Sequence, residues 1–341
     1  MSFDNGLWLM HGDCLERMKE IPDGSVDMIL CDLPYGTTAC KWDSVIPFGP
    51  LWEQYRRIAK RNAAIVLTAS QPFTTALIAS NMDMFRYSWV WEKDQGVNFM
   101  SAKRQPLKVH EDVLVFYTDL AEQRGAAVEY APLREYLQTE RAKSGLSSQE
   151  VQAVLGNYMA SHYFTNGVQF CIPSEDNYAK LQTTGCFQRP YDEIRAEYQR
   201  LGESIKPVTY NPQMTEGKPY ISGKGTSGEV TGSVQKVQTV NEGTRYPRSV
   251  VSIKRQTGLH PTQKPVALME YLIKTYTNEG ETVLDNCMGS GTTGVAALNC
   301  GRKFIGIERD DAYFEIAQRR IEDSRGQMCE APEGIKARMT A

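Results

Sequence analysis

One twelve-residue stretch, Val283-Leu-Asp-Asn-Cys-Met-Gly-Ser-Gly-Thr-Thr-Gly294, restricts the fold more than any other part of the chain. Apolar residues lead into Gly289, Gly291 and Gly294 at the spacing G-x-G-x-x-G, and a helical pattern follows from Thr292 to Cys300. Small residues at these positions let the backbone turn tightly out of a strand and approach a bound cofactor. Glu308 ends the next strand candidate, where a carboxylate can accept hydrogen bonds from both hydroxyls of a ribose. The pattern predicts a nucleoside cofactor on a Rossmann-like sheet. On these residues alone NAD and S-adenosylmethionine fit equally.

The rest of the chain supports such a sheet at both ends and interrupts it in the middle. Val26 to Cys31, Ala64 to Thr68, Tyr87 to Trp91 and Asp112 to Tyr117 read as strands, with a helix over Leu51 to Arg61. The last third repeats the rhythm: helix Pro265 to Tyr276, strand Thr282 to Leu284, helix Thr292 to Cys300, strand Lys303 to Ile307 and helix Asp311 to Ile321. Short apolar runs alternating with amphipathic helices are the signature of a mostly parallel sheet covered on its faces. With 341 residues the chain suggests two domains, or one with a large insert. The middle fits an insert. Helices are expected at Leu133 to Lys143, at Gln149 to Leu155 behind an N-cap at Ser147 or Ser148, from Tyr158, and at Ser174 to Leu181. Helix, Gly-containing turn, helix outlines either a helix-turn-helix or an ordinary helical hairpin. From Gly202 to Thr257 the chain is rich in Gly, Ser, Thr, Lys and Pro. Between 201 and 260 it holds eight basic residues (Lys206, Lys218, Lys224, Lys236, Arg245, Arg248, Lys254, Arg255) against four acidic ones (Glu203, Glu216, Glu229, Glu242). That is a solvated flexible loop or an arm that contacts phosphates.

The net charge of −3 excludes a wholly polybasic surface, so any nucleic-acid contact must be local. No apolar run approaches the roughly 18 residues of a membrane span, and residues 1 to 11 carry no secretory pattern, so a cytoplasmic location is expected. The eight cysteines are scattered, without a Cys-x-x-Cys pair or a His spaced for zinc, and are expected as reduced thiols with no metal site.

The strand Val26 to Cys31 runs into Asp32-Leu33-Pro34-Tyr35-Gly36. This places a carboxylate, a fixed carbonyl and an aromatic ring at the carboxyl end of a strand, where ligands of open α/β sheets sit. An exocyclic amine of a nucleic-acid base is a poor nucleophile, because its lone pair is delocalised into the ring. Acceptors that fix its hydrogens let the nitrogen rehybridise. Asp32 and the Pro34 carbonyl can be two such acceptors, and Tyr35 offers a face for the base.

Asp32-Leu-Pro-Tyr35, the glycine loop at 285 to 294 and His260-Pro-Thr-Gln-Lys-Pro265 together resemble the catalytic motif, the cofactor loop and its preceding segment in DNA amino-methyltransferases. Their order, catalytic motif first and cofactor loop last around an insert, resembles the beta class. Gly12-Asp13-Cys14 followed by Ile21 to Asp27 is similar to that class's N-terminal segment. The resemblance covers about residues 7 to 120 and 258 to 323.

It implies a Rossmann-like class I methyltransferase sheet, α/β with circularly permuted motif order. Residues 1–120 would form the catalytic half, 121–257 an inserted, mainly helical target-recognition region, 258–325 the cofactor half and 326–341 a tail. It implies S-adenosylmethionine as cofactor, double-stranded DNA as partner, and direct methyl transfer to the N6 amine of a flipped adenine. A homodimer would be in keeping with the class. Asp32, Pro34 and Tyr35 would hold the target amine and base. The loop Gly289, Ser290, Gly291, Thr292 and Thr293 would wrap the methionine part of the cofactor. Asp285 would stand by its amino group, Glu308 on the ribose, Asp13 at the adenine edge and Lys264 at its carboxylate. Two positions depart from the family pattern: Leu33 stands where a second Pro is usual, and Asn286-Cys287 where Pro-Phe is usual. Trp42 would wedge into the duplex or cover the sheet edge.

Cytosine N4 is the nearest rival target. Cytosine C5 chemistry needs a Pro-Cys nucleophile, which the chain lacks. A nicotinamide oxidoreductase would need a hydride-acceptor site with its own acid-base residue, and nothing in 32 to 42 resembles one. A catalytically silent DNA-binding protein is the remaining alternative.

Overall fold

The structure, a computed structural model, describes residues 6–38, 40, 43–118, 130–166, 169–204, 208–222, 227–228, 232–233, 239–256, 258 and 263–330. It separates into two compact units, one formed by 1–60, 64–116 and 209 onward, the other by 61–63 and 117–208.

The first unit is built on an eight-stranded sheet: β1 (Leu7–His11), β2 (Val26–Asp32), β3 (Ala59–Ala69), β4 (Phe85–Val97), β5 (Lys108–Tyr117), β6 (Val250–Ser252), β7 (Thr282–Asp285) and β8 (Lys303–Glu308). Their order across the sheet is β1-β8-β7-β2-β3-β5-β4-β6. The pairs β1/β8, β8/β7, β7/β2, β2/β3 and β4/β6 are parallel, and β4/β5 is antiparallel. All four residues of β7 are buried, as are Met28 to Cys31 of β2. Strands covered on both faces lose the polar alternation of a half-exposed sheet and read as continuous apolar runs. The decisive pairing is β7 with β2, Val283 opposite Met28 and Leu284 opposite Ile29. It sets the glycine-loop strand beside the strand that ends in Asp32, although Asp32 and Thr282 are 250 positions apart in the chain.

Helices cover the sheet. In α2 (Phe48–Ile58), Leu51, Trp52, Tyr55 and Ile58 recur on one face and are buried. The other helices of this unit are α1 (Cys14–Arg17), α3 (Phe73–Ser80), α9 (Val266–Tyr276), α10 (Thr292–Asn299) and α11 (Asp311–Glu330). In α9, Leu268, Met269, Leu272, Ile273 and Tyr276 are buried in the same way. The strand reading at 26 to 31, 64 to 68, 87 to 91 and 112 to 117 falls inside longer strands, while β1, α1 and α3 were not expected. β1 hides as a five-residue run containing Trp8 and His11 that is only partly buried.

The second unit is helical: α4 (Ala131–Ser144), α5 (Ser148–Leu155), α6 (Ala160–Tyr163), α7 (Glu175–Gln182) and α8 (Tyr191–Ser204). Its core gathers Leu133, Leu137, Val151, Leu155, Tyr178 and Leu181, with Ile194 from α8, which was not expected. Ser147 caps α5 in a reciprocal capping box with Glu150, and Gly145 and Gly156 close α4 and α5 with left-handed φ of 69° and 70°. Among the described residues four of these helices fall where the sequence reading places them, and α8 joins them around one core.

The Gly-rich basic segment is not simply an arm. Its described residues form two-stranded ribbons, Tyr220–Ser222 with Thr239–Asn241 and Thr215–Glu216 with Thr244–Arg245, and then contribute β6 to the sheet edge. Arg245 lies over the Tyr220 ring at 4.9 Å, and the Arg255 amide donates to Asp94 at 3.0 Å. Backbone pairing and these side-chain contacts order what composition alone marks as loop. Among the described residues no helix is long and apolar enough to cross a membrane, and no group of three or more His, Cys, Asp or Glu could hold a metal ion.

Candidate active site

The parallel pairing brings the carboxyl ends of β2, β7 and β8 together over one cleft, with about 1190 Å³ of empty space that includes its open mouth. Asp13, Asp32, Asp285, Met288 and Glu308 all line it.

Asp32 is the last residue of β2, directly opposite Thr68 on β3. Its Oδ1 accepts from the Tyr35 hydroxyl at 2.8 Å and from the Thr68 hydroxyl, and its Oδ2 accepts from Lys264 Nζ. Lys264 is 6% exposed and also lies 3.3 Å from Glu111 Oε2, an ion pair rather than an aligned hydrogen bond. Glu111 Oε1 in turn accepts from Lys93. Charges therefore alternate in a chain, Asp32, Lys264, Glu111, Lys93, whose formal sum is zero. That balance is what lets four ionised groups sit at a largely buried position. Burial alone would push the Glu111 carboxyl up, but the ammonium groups of Lys264 and Lys93 outweigh it and hold it below its ordinary 4.5. Burial would likewise lower Lys264, and Asp32 and Glu111 reverse this and hold it above 10.5.

The turn after Asp32 is fixed from below. The Asp43 carboxylate accepts from three successive amides, Gly36 at 2.8 Å, Thr37 at 2.9 Å and Thr38 at 2.6 Å. Partial burial opposes ionisation of Asp43, yet these donors keep its carboxyl below the ordinary 3.8. Gly36 takes φ of 69° inside this turn, which a side chain would strain. One face of the Tyr35 ring stacks on Phe73, with centroids 5.1 Å apart and planes at 26°. Burial, with Asp32 and Glu111 nearby, keeps the Tyr35 hydroxyl protonated well above its ordinary range, so it serves as a donor.

On the other side of the cleft, β7 delivers Asp285. Its Oδ1 accepts from the Cys287 amide at 3.0 Å and its Oδ2 from the Thr293 hydroxyl at 2.6 Å. Burial pushes this carboxyl up to about 6, against the lowering pull of those donors. Gly289 and Gly291 take left-handed φ of 51° and 77°. A Cβ on Gly294 would stand 2.5 Å from Ile321 Cδ1 and 2.7 Å from Phe304 Cε1, so the third glycine is required by packing against α11 and β8. Ser290, Thr292 and Thr293 are buried in the loop and the first turn of α10, where Arg320 donates to the Ser290 carbonyl at 3.1 Å and the Thr292 hydroxyl at 3.0 Å. Glu308 Oε2 accepts from the Gly289 amide at 2.8 Å, and its Oε1 from the Arg309 and Asp310 amides at 2.8 and 2.9 Å. Asp13 Oδ1 caps α1 by accepting from the Leu15 amide at 2.9 Å.

The structure thus gathers Asp13, Asp32, Pro34, Tyr35, Lys264, Asp285, Gly289, Ser290, Thr292, Thr293 and Glu308 around one cleft, with Gly291 in the same loop as the N-cap of α10. Lys264 is directed at Asp32 and Glu111. Glu111, Lys93, Thr68, Asp43 and Phe73 were missed in the sequence. They carry no motif and meet the site only through strand register and loop closure. The Asn286-Cys287 departure is built in: Asn286 Oδ1 accepts from the Tyr55 hydroxyl at 2.6 Å, and the Cys287 thiol lies against those of Cys14 and Cys31. Trp42 and residues 259–262 lie outside the described residues.

Comparison with known proteins places the chain in a family. The N6/N4 methyltransferase family model, described as DNA methylase, matches residues 26–319. DNA adenine methyltransferase YhdJ of Escherichia coli K12 is 25% identical over 344 aligned positions, covering 97% of this chain and 88% of its own. Type II methyltransferase M2.DpnII of Streptococcus pneumoniae is 49% identical over 70 residues, 20% of this chain and 26% of that protein, so the match spans about a quarter of its length. Among solved structures, a complex of M1.HpyAVI with SAM aligns over 92% of this chain and 98% of that one, with a TM-score of 0.49 and 20% identity. With the family model matching most of its length, the chain belongs to the N6/N4 DNA methyltransferase family, which takes its methyl group from S-adenosylmethionine.

Proposed function

We propose that this protein methylates the N6 amine of adenine in double-stranded DNA, acting on a base turned out of the helix into the cleft. The observation that carries the reading is the state of Asp32. A carboxylate offers about four acceptor sites. Tyr35, Thr68 and Lys264 use three, two on Oδ1 and one on Oδ2. The fourth, on Oδ2 at the cleft, is left for one amine hydrogen, and the Pro34 carbonyl takes the other. Two fixed acceptors draw the amine out of conjugation with the ring and aim its lone pair. Tyr35 offers its ring for stacking the base, backed on one side by Phe73. After transfer the nitrogen sheds a proton, and Asp32 Oδ2 is the base within reach.

The cofactor half fits S-adenosylmethionine. Asp285 is a carboxylate held partly neutral by burial at the cleft wall, a position that a ligand ammonium would ionise. The glycine loop lets backbone approach, Glu308 stands where ribose hydroxyls would lie, and Asp13 where the adenine edge would. S-adenosylmethionine supplies an electrophilic methyl group on a sulfonium. Adenine is favoured over cytosine by the Asp that opens the 32–35 motif and by the adenine methyltransferase YhdJ among the relatives. The test is to incubate the protein with labelled S-adenosylmethionine and unmethylated mixed-sequence duplex DNA, then digest and identify the nucleoside. N6-methyladenine is expected. N4-methylcytosine would overturn the assignment of the base, and no labelled nucleoside from any DNA would overturn the reading.

A further inference from the structure

The hairpin joining β4 and β5 carries apolar side chains into solvent. Phe99 is 67% exposed and Met100 fully exposed, and Leu107 and Val109 on the returning arm are also exposed. Such a group on a loop tip is unfavourable in water unless something covers it. The surrounding charge is one-sided: Lys103, Arg104 and Lys108 lie between Gln95 and His110 with no Asp or Glu among them, in a chain of net charge −3.

The tip is held in shape. Asn98 turns the chain with a left-handed φ of 73°, Phe99–Ser101 form a single helical turn, and the amides of Arg104 and Gln105 donate to the Ser101 carbonyl at 2.8 and 3.0 Å. Its base is anchored beside the catalytic carboxylate. Glu111, paired with Lys93 across the hairpin stem, reaches Asp32 through Lys264, and Asp94 and Gln95 hold Arg255 at 3.6 and 2.6 Å. The last paired residues are Val97 and Lys108, three positions beyond Glu111. At roughly 3.3 Å per strand residue the hairpin stem extends about 10 Å past the Glu111 position before the tip begins. That is comparable with the depth of a DNA groove, about 8 Å.

We infer that this hairpin tip is the element that enters the duplex: Phe99 and Met100 wedge into the base stack vacated by the flipped base, and Lys103, Arg104 and Lys108 grip the flanking phosphates. The inference rests on the proposed function and adds to it the surface that opens the substrate. Apolar wedges with basic neighbours are how proteins unstack and kink a duplex, and flipping costs least when the base is already unpaired.

The test compares the wild-type protein, the double variant Phe99→Ala/Met100→Ala and the double variant Lys103→Gln/Arg104→Gln, on unmethylated mixed-sequence duplex DNA and on the same DNA heat-denatured. Both variants change exposed side chains, and unchanged S-adenosylmethionine binding by calorimetry certifies their fold. The apolar variant is expected to lose at least about tenfold in turnover on duplex and less than about threefold on single strands. The charge variant is expected to weaken binding to a fluorescent duplex and to reduce the slope of log affinity against log salt by about 2, since each phosphate contact contributes about 0.9. Wild-type turnover of the apolar variant on duplex, or an unchanged salt slope in the charge variant, overturns the inference. A wild-type protein that methylates no DNA overturns the proposed function instead, and the binding slopes still decide the role of the hairpin.

Discussion

Replacing Lys264 with Met removes one ammonium from between two carboxylates while keeping much of the side-chain length. Lys264 is 6% exposed, Glu111 14% and Asp32 22%, so the two carboxylates are left facing each other with limited access to water. Breaking a buried pair by removing one partner costs about 3–5 kcal/mol. Lys93 still neutralises part of Glu111, and Asp32 keeps Tyr35 and Thr68, which places the expected loss at the lower end, about 3 kcal/mol. For a unit of this size that is a fall in Tm of about 6–12 °C at pH 7. The pH dependence follows from the shifts. Glu111 is held below 4.5, so its contribution is present above that value and is lost as pH falls through its folded-state value. Lys264 is held above 10.5, so its contribution is present below that value and is lost only as pH rises beyond it. The difference between variant and wild type is therefore largest between about 4.5 and 10.5 and narrows on acidification. Thermal denaturation across pH, paired with calorimetric titration of S-adenosylmethionine, reads both sides. Lower stability is expected, with cofactor affinity changed by less than about threefold. A wild-type Tm together with a loss of affinity of tenfold or more would refute it and return Lys264 to the cofactor carboxylate.

Three further outcomes are expected. Asp285, raised to about 6 from an ordinary 3.8, is partly protonated in the free protein, and a bound ammonium favours its ionised form. S-adenosylmethionine affinity measured by calorimetry should thus rise about tenfold from pH 5 to pH 7 with proton release, and flatten in Asp285→Asn. Stability of the free protein should fall as pH rises from 3.8 to about 6, because the folded state holds the proton more tightly. Asp43→Ala removes the acceptor for three amides of the turn after Tyr35, and should cost about 2–3 kcal/mol in urea denaturation and lower kcat for methyl transfer, leaving cofactor affinity intact. Gly294→Val places side-chain atoms against Ile321 and Phe304, and should cost about 1–3 kcal/mol through overpacking.

The parts of the site legible in the sequence are those whose chemistry is compact along the chain. The Asp32 turn and the 285–294 loop each place their working groups within about ten residues, and the buried runs Val26–Cys31 and Val283–Asp285 announce parallel strands. Glu111 and Lys93 were not legible, because each reads as an ordinary charge on a strand. Only the register Trp91 opposite Glu111 and the return of Lys264 from the far end of the chain turn them into a network. Asp43 was hidden for a similar reason: its three amides are local, but nothing in the sequence says that the loop closes on itself. The basic segment misleads in the opposite direction. Gly, Ser and Lys suggest an arm, while β6 pairs with β4 through backbone groups that composition does not encode. In the helical unit the caps at Ser147, Gly145 and Gly156 were readable, whereas α8 follows a charged run whose few apolar residues reveal their role only in the shared core.

The central claim is that Asp32 is the acceptor that activates the target amine, within a cleft whose cofactor half stands without it. The most direct measurement is single-turnover methyl transfer by Asp32→Ala to unmethylated duplex DNA, alongside its affinity for S-adenosylmethionine. Cofactor affinity within about threefold of wild type and a transfer rate lower by about 10²–10⁴ is the expected result. Transfer within tenfold of the wild-type rate would contradict the account.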